Sequence, residues 1–247
     1  VNDRANALTL IRILALVGSI GAIAYPRPAS SYPLSIALQF PAVPDRGAPA
    51  TTSGGGTRSD TAFCVNTGAD ELSLNPLTPY YGKTVTTASA NPTLYFYVPP
   101  TKAAAGEAVL LDDNDNEILA AQFALPPESG IVRLNLQPKT ALVPGRKYRW
   151  SVSLVCDPRN RTRDVSIAGI IEYRPLEAPI ARSLEVKNFL EKARFYAGRG
   201  DWLDTLDNAA KVRGQQLSEW TELLQSVGLD ALLDRPIIDC CTLEKPL

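Results

Sequence analysis

Three groups of residues in this sequence could do chemistry. Cys64, Cys156, Cys240 and Cys241 offer disulfide formation or metal ligation, Arg159, Arg161 and Arg163 alternate within one short stretch, and Asp112, Asn114 and Asn116 bring side-chain oxygens together at every second position. Zinc held by cysteines uses close C-x-x-C pairs; here two cysteines are adjacent and the others stand far apart, so no zinc site is expected. The acidic stretch has the 1, 3, 5 spacing of an EF-hand loop, but Glu117 stands where glycine is needed and Phe123 where the bidentate glutamate belongs. It reads as a solvated hairpin turn. Neither a metal nor a cofactor is therefore expected. Three alternating guanidinium groups suit an acidic partner or a sulfated or phosphorylated glycan, the plainer reading being a solvated loop.

Composition removes much of the remaining chemistry. The chain has 247 residues and contains no histidine and no methionine. Imidazole-based acid–base work, Ser-His-Asp and Cys-His hydrolysis and His-ligated metals are thereby excluded. Its 25 Lys+Arg against 26 Asp+Glu create no basic field, so no nucleic-acid partner is expected. No glycine-rich phosphate cradle follows a strand, and the acidic residues sit mostly in expected loops and on expected helix surfaces. The chain reads as a non-enzyme, and a hydrolase with paired carboxylates is the enzymatic alternative.

The elements that must position these residues begin with 1–24, where Arg4 and Arg12 precede an apolar run from Ile13 that closes on Ala22-Ile23-Ala24. A positive start, a short apolar core and a small-x-small site make a secretory signal peptide; a bilayer span takes roughly 20 apolar residues. Tyr25 follows the expected cut, with Ser31 as a second candidate. A first residue Val in a chain without Met is expected to be a GTG start read literally, which would make the N-terminus complete. No membrane span is expected after signal removal. Residues 25–60 carry Pro26, Pro28, Pro33, Pro41, Pro44 and Pro49 and then Ser53-Gly54-Gly55-Gly56, the composition of a flexible, partly polyproline linker. The alternation Leu34, Ile36, Leu38, Phe40 could supply one strand.

Residues 61–176 read as β throughout. Leu94, Phe96 and Val98 share a face with Tyr95 and Tyr97 opposite, 107–111 and 117–123 flank the acidic turn, and Val132, Leu134 and Leu136 form another inward row. Tyr148, Trp150, Val152, Leu154 and Cys156 form the longest row, and Val165, Ile167, Gly169 and Ile171 the last. About seven short strands separated by turns suggest a β-sandwich. The stretch Leu142-Val143-Pro144-Gly145-Arg146-Lys147-Tyr148-x-Trp150 resembles the E-to-F corner of immunoglobulin-like and fibronectin-III-like sandwiches, where a tyrosine bonds back to the corner backbone. In such a topology Cys64 would open the first strand and Cys156 would close strand F, both at one pole, which favours a Cys64–Cys156 disulfide. Cys240 and Cys241 could join each other, reach back to the sandwich or link to another chain.

Residues 180–236 change to helical period. Val186, Phe189, Leu190, Ala193 and Tyr196 share a face, Gly198-Arg199-Gly200 ends that helix, and Asp201 can cap the next, which turns Trp202, Leu203, Leu206 and Ala209 inward. Ser218 can cap a third helix carrying Trp220, Leu223 and Leu224. The run Ala193-x-x-Tyr196-Ala197-x-x-Gly200-Asp201-Trp202-x-x-Thr205-Leu206 is similar to part of a tetratricopeptide repeat. One copy cannot close a core, which takes about three, so this small unit should dock on the sandwich or on a partner. Residues 237–247 form a cysteine-containing tail. The expected fold is mainly β with a C-terminal α part.

Order and number of motifs give one wider resemblance. Gly55-Gly56-Thr57-Arg58 before Cys64, Pro92-Thr93-Leu94-Tyr95-Phe96-Tyr97-Val98-Pro99 and Val109-Leu110-Leu111-Asp112 come first. Gly130-Ile131-Val132, Tyr148-x-Trp150-x-x-x-Leu154-x-Cys156-Asp157-Pro158, Ala197 to Trp202, Trp220-x-x-Leu223-Leu224-x-Ser226-Val227-Gly228-Leu229 and Cys240-Cys241 follow. Together they resemble the cyanobacterial family called domain of unknown function 928, over 54–241. The resemblance implies an exported protein, often encoded near two-partner secretion components, and carries no assigned activity. At 83–91 the chain departs from the family pattern, which has an acidic residue or histidine before Pro-Thr. The resulting expectation is an exported, non-enzymatic binding or adaptor protein at the periplasm or cell surface, facing an envelope or secreted protein partner. Arg159, Arg161, Arg163, Trp202 and Trp220 are its expected contact residues. The first alternative is a carbohydrate-binding module that stacks a glycan on Tyr80, Tyr81, Tyr95 and Tyr97.

Overall fold

The alternating rows between 84 and 176 form strands of two sheets in the computed structural model, which describes residues 37–41, 64–65, 72–79 and 84–246. The expected signal peptide, most of the expected linker, and Tyr80 and Tyr81 lie outside the described residues. One sheet has the order β1-β3-β6-β9, made of β1 (Asn75–Pro76), β3 (Thr93–Val98), β6 (Gly130–Asn135) and β9 (Ile237–Ile238). The other has the order β10-β5-β4-β7-β8-β2, made of β2 (Thr84–Thr87), β4 (Ala105–Leu111), β5 (Glu117–Phe123), β7 (Lys147–Val155), β8 (Val165–Tyr173) and β10 (Leu243–Pro246). Pairing is antiparallel except for β2 on β8 and β9 on β6.

Inward residues of the two sheets share one hydrophobic core. Phe96 of β3 meets Phe123 of β5 at 6.0 Å between ring centres, and Gly106 leaves the room Phe123 fills, since a Cβ there would lie 2.2 Å from the ring. The β4–β5 hairpin turns where its chemistry predicts. Asp112 accepts backbone N–H bonds from Asn114 and Asn116 and a bond from the Asn116 amide, and Asp115 takes φ 65°. At the corner before β7, Tyr148 Oη accepts the N–H of Val143 at 2.7 Å, the bond expected from the sequence.

Four helices follow, α1 (Ala178–Glu185), α2 (Phe189–Arg199), α3 (Trp202–Val212) and α4 (Leu217–Gln225). The first was not expected. Its neighbour starts later than the apolar period suggests, because Asn188 and Glu191 make a reciprocal capping box, and this leaves Val186 89% exposed rather than inward. Gly200 ends α2 at φ 77°. Asp201 precedes α3 without capping it: its carboxylate, fully buried, instead takes Arg174 at 3.0 Å and Arg199 at 2.7 Å. Ser218 lies inside α4, which starts after Gln216 without a side-chain cap.

The helical segment packs against the sheets. All described residues belong to one compact unit, Ile36–Leu247, and α3 lies against β2 and β3. Thr86 Oγ donates to Gly200 O at 2.7 Å, the Ala88 N–H donates to Asp204 at 2.7 Å, and Tyr95 Oη donates to Asp207 at 3.0 Å. Two segments behave otherwise than expected. Residues 37–41 form no strand; Leu38 and Phe40 are buried, the Leu38 N–H bonds Glu219 at 2.8 Å, and the Phe40 ring stands edge-on to Trp202 at 4.9 Å. The tail returns to the sheets as β9 and β10, one strand on each.

Candidate functional surface

The two sheets differ in what lies outside them. On β3 both faces are buried: Leu94, Phe96 and Val98 enter the core, and Tyr95 and Tyr97, on the other side, are 3% and 0% exposed. Arg133, paired with Tyr95 across the strands, reaches Asp207 of α3 at 3.4 Å, and Arg235 stacks 5.3 Å from the Tyr97 ring centre. Burial and the neighbouring Asp207 carboxylate both raise the Tyr95 phenol well above its ordinary value. Tyr95 and Tyr97 therefore cannot stack a sugar; the helical layer occupies that face.

In the six-stranded sheet, the described helix α3 packs on the edge strand β2 rather than across the outer face of β4, β7 and β8. Register places Val109, Ser151 and Ala168 in one cross-strand row and Leu111, Arg149 and Ile170 in the next. A third row holds Glu107, Ser153 and Ser166, the two serine hydroxyls 2.7 Å apart. Leu111, Arg149, Ser151, Ala168 and Ile170 line an open groove of about 390 Å³ whose floor is formed by Trp150 and Gly169. Gly169 is fixed by what lies beneath it, because a Cβ there would come 2.7 Å from the Trp150 indole. Asp115 pairs with Arg149 at one end. Small and aliphatic side chains standing outward on a pleated sheet make a shallow, open and mostly apolar surface.

The arginine loop folds onto the other end of this face. Residues Arg161–Arg163 form a single 3-10 turn whose start is bonded by the Asn160 side chain. Arg161 grips Glu107 through both terminal nitrogens and Asp164 through Nε at 2.6 Å, and Gln122 adds a bond to Glu107 at 3.1 Å. Burial disfavours the Glu107 charge, but the bonds from Arg161 and Gln122 outweigh it and hold the carboxyl below its ordinary value. Arg161 is thus a clamp between loop and sheet, not one of three equivalent contact residues. Arg159, 95% exposed, and Arg163, 45% exposed, each stand 3.9 Å from the Asp157 carboxylate at the rim.

The tryptophans expected as contact residues are core residues. Trp202 and Trp220 are 1% and 0% exposed. Trp202 Nε1 donates to Leu77 O at 2.7 Å beside β1, and Trp220 lies 5.3 Å beneath the Arg213 guanidinium. Their aromatic area fixes the helical layer and is closed to a partner.

Cys64 and Cys156 are joined, with Cα atoms 5.4 Å apart. Cys156 directly follows β7, as expected, whereas Cys64 lies in a turn beside an isolated bridge, Val65 to Thr101. The Cys64 carbonyl accepts the Lys102 N–H at 2.7 Å and the Thr101 hydroxyl at 2.8 Å. Cys240 and Cys241 are joined to each other. Asp201 and Asp204 are two carboxylates near enough to affect each other. Burial first, then Asp201, pushes the Asp204 carboxyl up to about 6 against the bonds from Ala88 and Thr87. Both are engaged at the joint between helices and β2, Asp201 by Arg174 and Arg199 and Asp204 by the Ala88 N–H.

The groove residues were not singled out from the sequence. The signal was available: along 166–172 the outward positions read Ser166, Ala168, Ile170 and Glu172, an apolar pair where a solvated face would carry charge. A family model described as Domain of Unknown Function (DUF928) matches residues 53–237. No curated protein and no solved structure matches the chain.

Proposed function

From its membership of the DUF928 family, to which the chain belongs, we propose that it is an exported, non-enzymatic binding or adaptor protein whose contact surface is the open face of the six-stranded sheet with the arginine loop at its end. One observation carries the reading: helices bury the outer side of β3, while the outer side of β4, β7 and β8 is left as a shallow apolar groove with Arg149 in its lining, and the loop bearing Arg159 and Arg163 lies at the far end of the same strands. An apolar centre with a polar, charged rim is how protein contacts are built, and an acidic or mixed-charge surface of another envelope protein fits it. Export is supported by the signal-like first 24 residues and by cysteines that are all paired. Among the described residues no helix is long and apolar enough to cross a membrane.

The finer fold that goes with this reading is an immunoglobulin-like or fibronectin-III-like sandwich. Its support is the strand order: β1, β3 and β6 in one sheet, β5, β4, β7 and β8 in the other, and β2 crossing to run parallel beside β8. The Tyr148 bond at the corner before β7 is a second support. The tetratricopeptide-like reading of α2 and α3 rests on two 11-residue helices joined through Gly200 and Asp201.

Photo-crosslinking tests the contact surface. A photoreactive residue at Ala168 should trap a defined envelope protein, and Ile170→Glu should reduce the yield at least tenfold while the melting temperature stays within a few degrees. Arg159→Ala with Arg163→Ala should weaken capture less, and mainly at low salt. Equal trapping from Ala168 and from an exposed position on α1, or no effect of Ile170→Glu, would overturn the assignment.

A further inference from the structure

The C-terminal tail is a strap that joins two sheet edges, and the adjacent cysteines sit at its crossing. Ile237 and Ile238 pair with Ile131 and Val132 of β6 at the end of the four-stranded sheet. Leu243 pairs with Phe123, and β10 continues along β5 at the end of the six-stranded sheet. Asp239, Cys240, Cys241 and Thr242 alone connect them, and the Cys240 N–H turns back to Ile238 O at 3.1 Å. Cys241 has φ 72°, a left-handed conformation that a residue other than glycine, asparagine or aspartate seldom adopts without restraint. The disulfide supplies that restraint by closing a ring across one peptide bond.

We propose that Cys240–Cys241 is a thiol–disulfide exchange site, taking a dithiol reductant, that controls whether β10 stays on β5. A thiolate of the reductant attacks one sulfur, the Cys240–Cys241 bond breaks, and a mixed disulfide forms while the other cysteine leaves as a thiolate and takes a proton. The reductant's second thiolate then attacks its own sulfur in the mixed disulfide, and the remaining cysteine leaves and is protonated. Two electrons pass to the cysteine pair, and the reductant becomes a disulfide.

The two disulfides of the chain differ in what the fold does for them. Cys64 and Cys156 are separated by 92 positions, so their bond restricts the unfolded chain strongly and folding in turn protects the bond. Cys240 and Cys241 are separated by one, so opening their bond releases almost no chain entropy and the fold gives it no such protection. Access adds one difference: both Cys240 and Cys241 are half-buried, whereas of the other pair only Cys156 is, Cys64 being 5% exposed. Opening the ring frees Cys241 to leave the left-handed region, the turn that aims β10 is lost, and the backbone edge of β5 is uncovered for another extended segment.

Graded reduction of the native chain with dithiothreitol, read by thiol alkylation, peptide mapping and amide hydrogen exchange, tests this. Cys240–Cys241 should open at a ratio of reduced to oxidised dithiothreitol at least tenfold below that which opens Cys64–Cys156. Amides of 121–123 and 243–245 that bond between β5 and β10 should then exchange at least tenfold faster, with β7 and β8 unchanged. Cys240→Ser with Cys241→Ser should give the same exchange pattern without reductant. Simultaneous opening of both bonds, unchanged exchange after reduction, or peptide mapping that pairs either cysteine elsewhere would overturn the proposal.

Discussion

Phe40→Ala separates a packed segment from a linker. Phe40 is 7% exposed, its ring meets Trp202 edge-on at 4.9 Å and 84°, and its N–H bonds Ser226 at 3.0 Å. Truncating a buried phenylalanine costs about 3–5 kcal/mol, of which an edge-on aromatic pair supplies roughly 0.5–1.5. The ring lies at the margin of the core, where neighbours can relax, so about 3 kcal/mol is expected. The side chain changes but the segment's backbone bonds need not, since Leu38 stays seated, 1% exposed, with its N–H on Glu219. Urea unfolding followed by tryptophan fluorescence reads the effect. At a slope of about 2 kcal/mol per molar, the midpoint should fall by about 1.5 M. Leu38→Ala should lower it comparably. A solvated linker would give both substitutions less than about 0.5 kcal/mol, and that result would refute the packing of 37–41 on α3 and α4.

Two further outcomes follow from buried groups. Replacing Cys64 and Cys156 together by alanine removes a crosslink between residues 92 apart; the chain-entropy estimate for such a loop is about 4–5 kcal/mol, and a loss below 1 kcal/mol in denaturant titration would count against it. Asp204 is raised by burial to about 6 from 3.8, so the folded chain binds the proton more tightly than the unfolded one. Its contribution favours folding at low pH and is lost as pH rises through about 6, leaving a cost of roughly 3 kcal/mol for the buried charge at neutral pH. Asp204→Asn should therefore raise stability at pH 7.5 and leave it nearly unchanged at pH 4. Stability profiles that run parallel across this window would contradict the assignment.

Features read from local pattern came through, and features set by distant partners did not. Alternation along β3 to β8 is a property of neighbouring residues, and so is the Tyr148 bond five positions back to Val143. Leu38 and Phe40 also alternate, but their partners are Glu219 and Trp202 on helices far along the chain; periodicity says that a side is buried, not against what. Asp201 stands where a capping residue is favoured, yet Arg174 and Arg199 offer its buried carboxylate two charge-assisted bonds, which outweigh one bond to a backbone N–H. The arginine triplet looked uniform because Glu107, which singles out Arg161, lies on another strand. Trp202 and Trp220 are expected on a contact surface, but Trp202 is covered by the chain's own Leu77 and Phe40 and Trp220 is buried beneath Arg213.

The closed and open sheet faces share one cause. Tyr95, Tyr97 and Ile131 are large groups standing outward from the four-stranded sheet, each nearly inaccessible, so that face is stable only beneath a further layer. The helices supply it through Trp202 and the Asp207 contacts with Tyr95 and Arg133. On the six-stranded sheet the corresponding positions hold Ser151, Ser153, Ser166 and Ala168, with Val109, Leu111 and Ile170 between them. Groups so small leave little apolar area for a helix to bury, and among the described residues α3 lies on β2 and β3 instead. Its apolar side chains, with charged groups at either end, are what the proposed contact would use. The distribution that docks the helices on one side is thus the same one on which the proposal of a reversible contact on the other side rests.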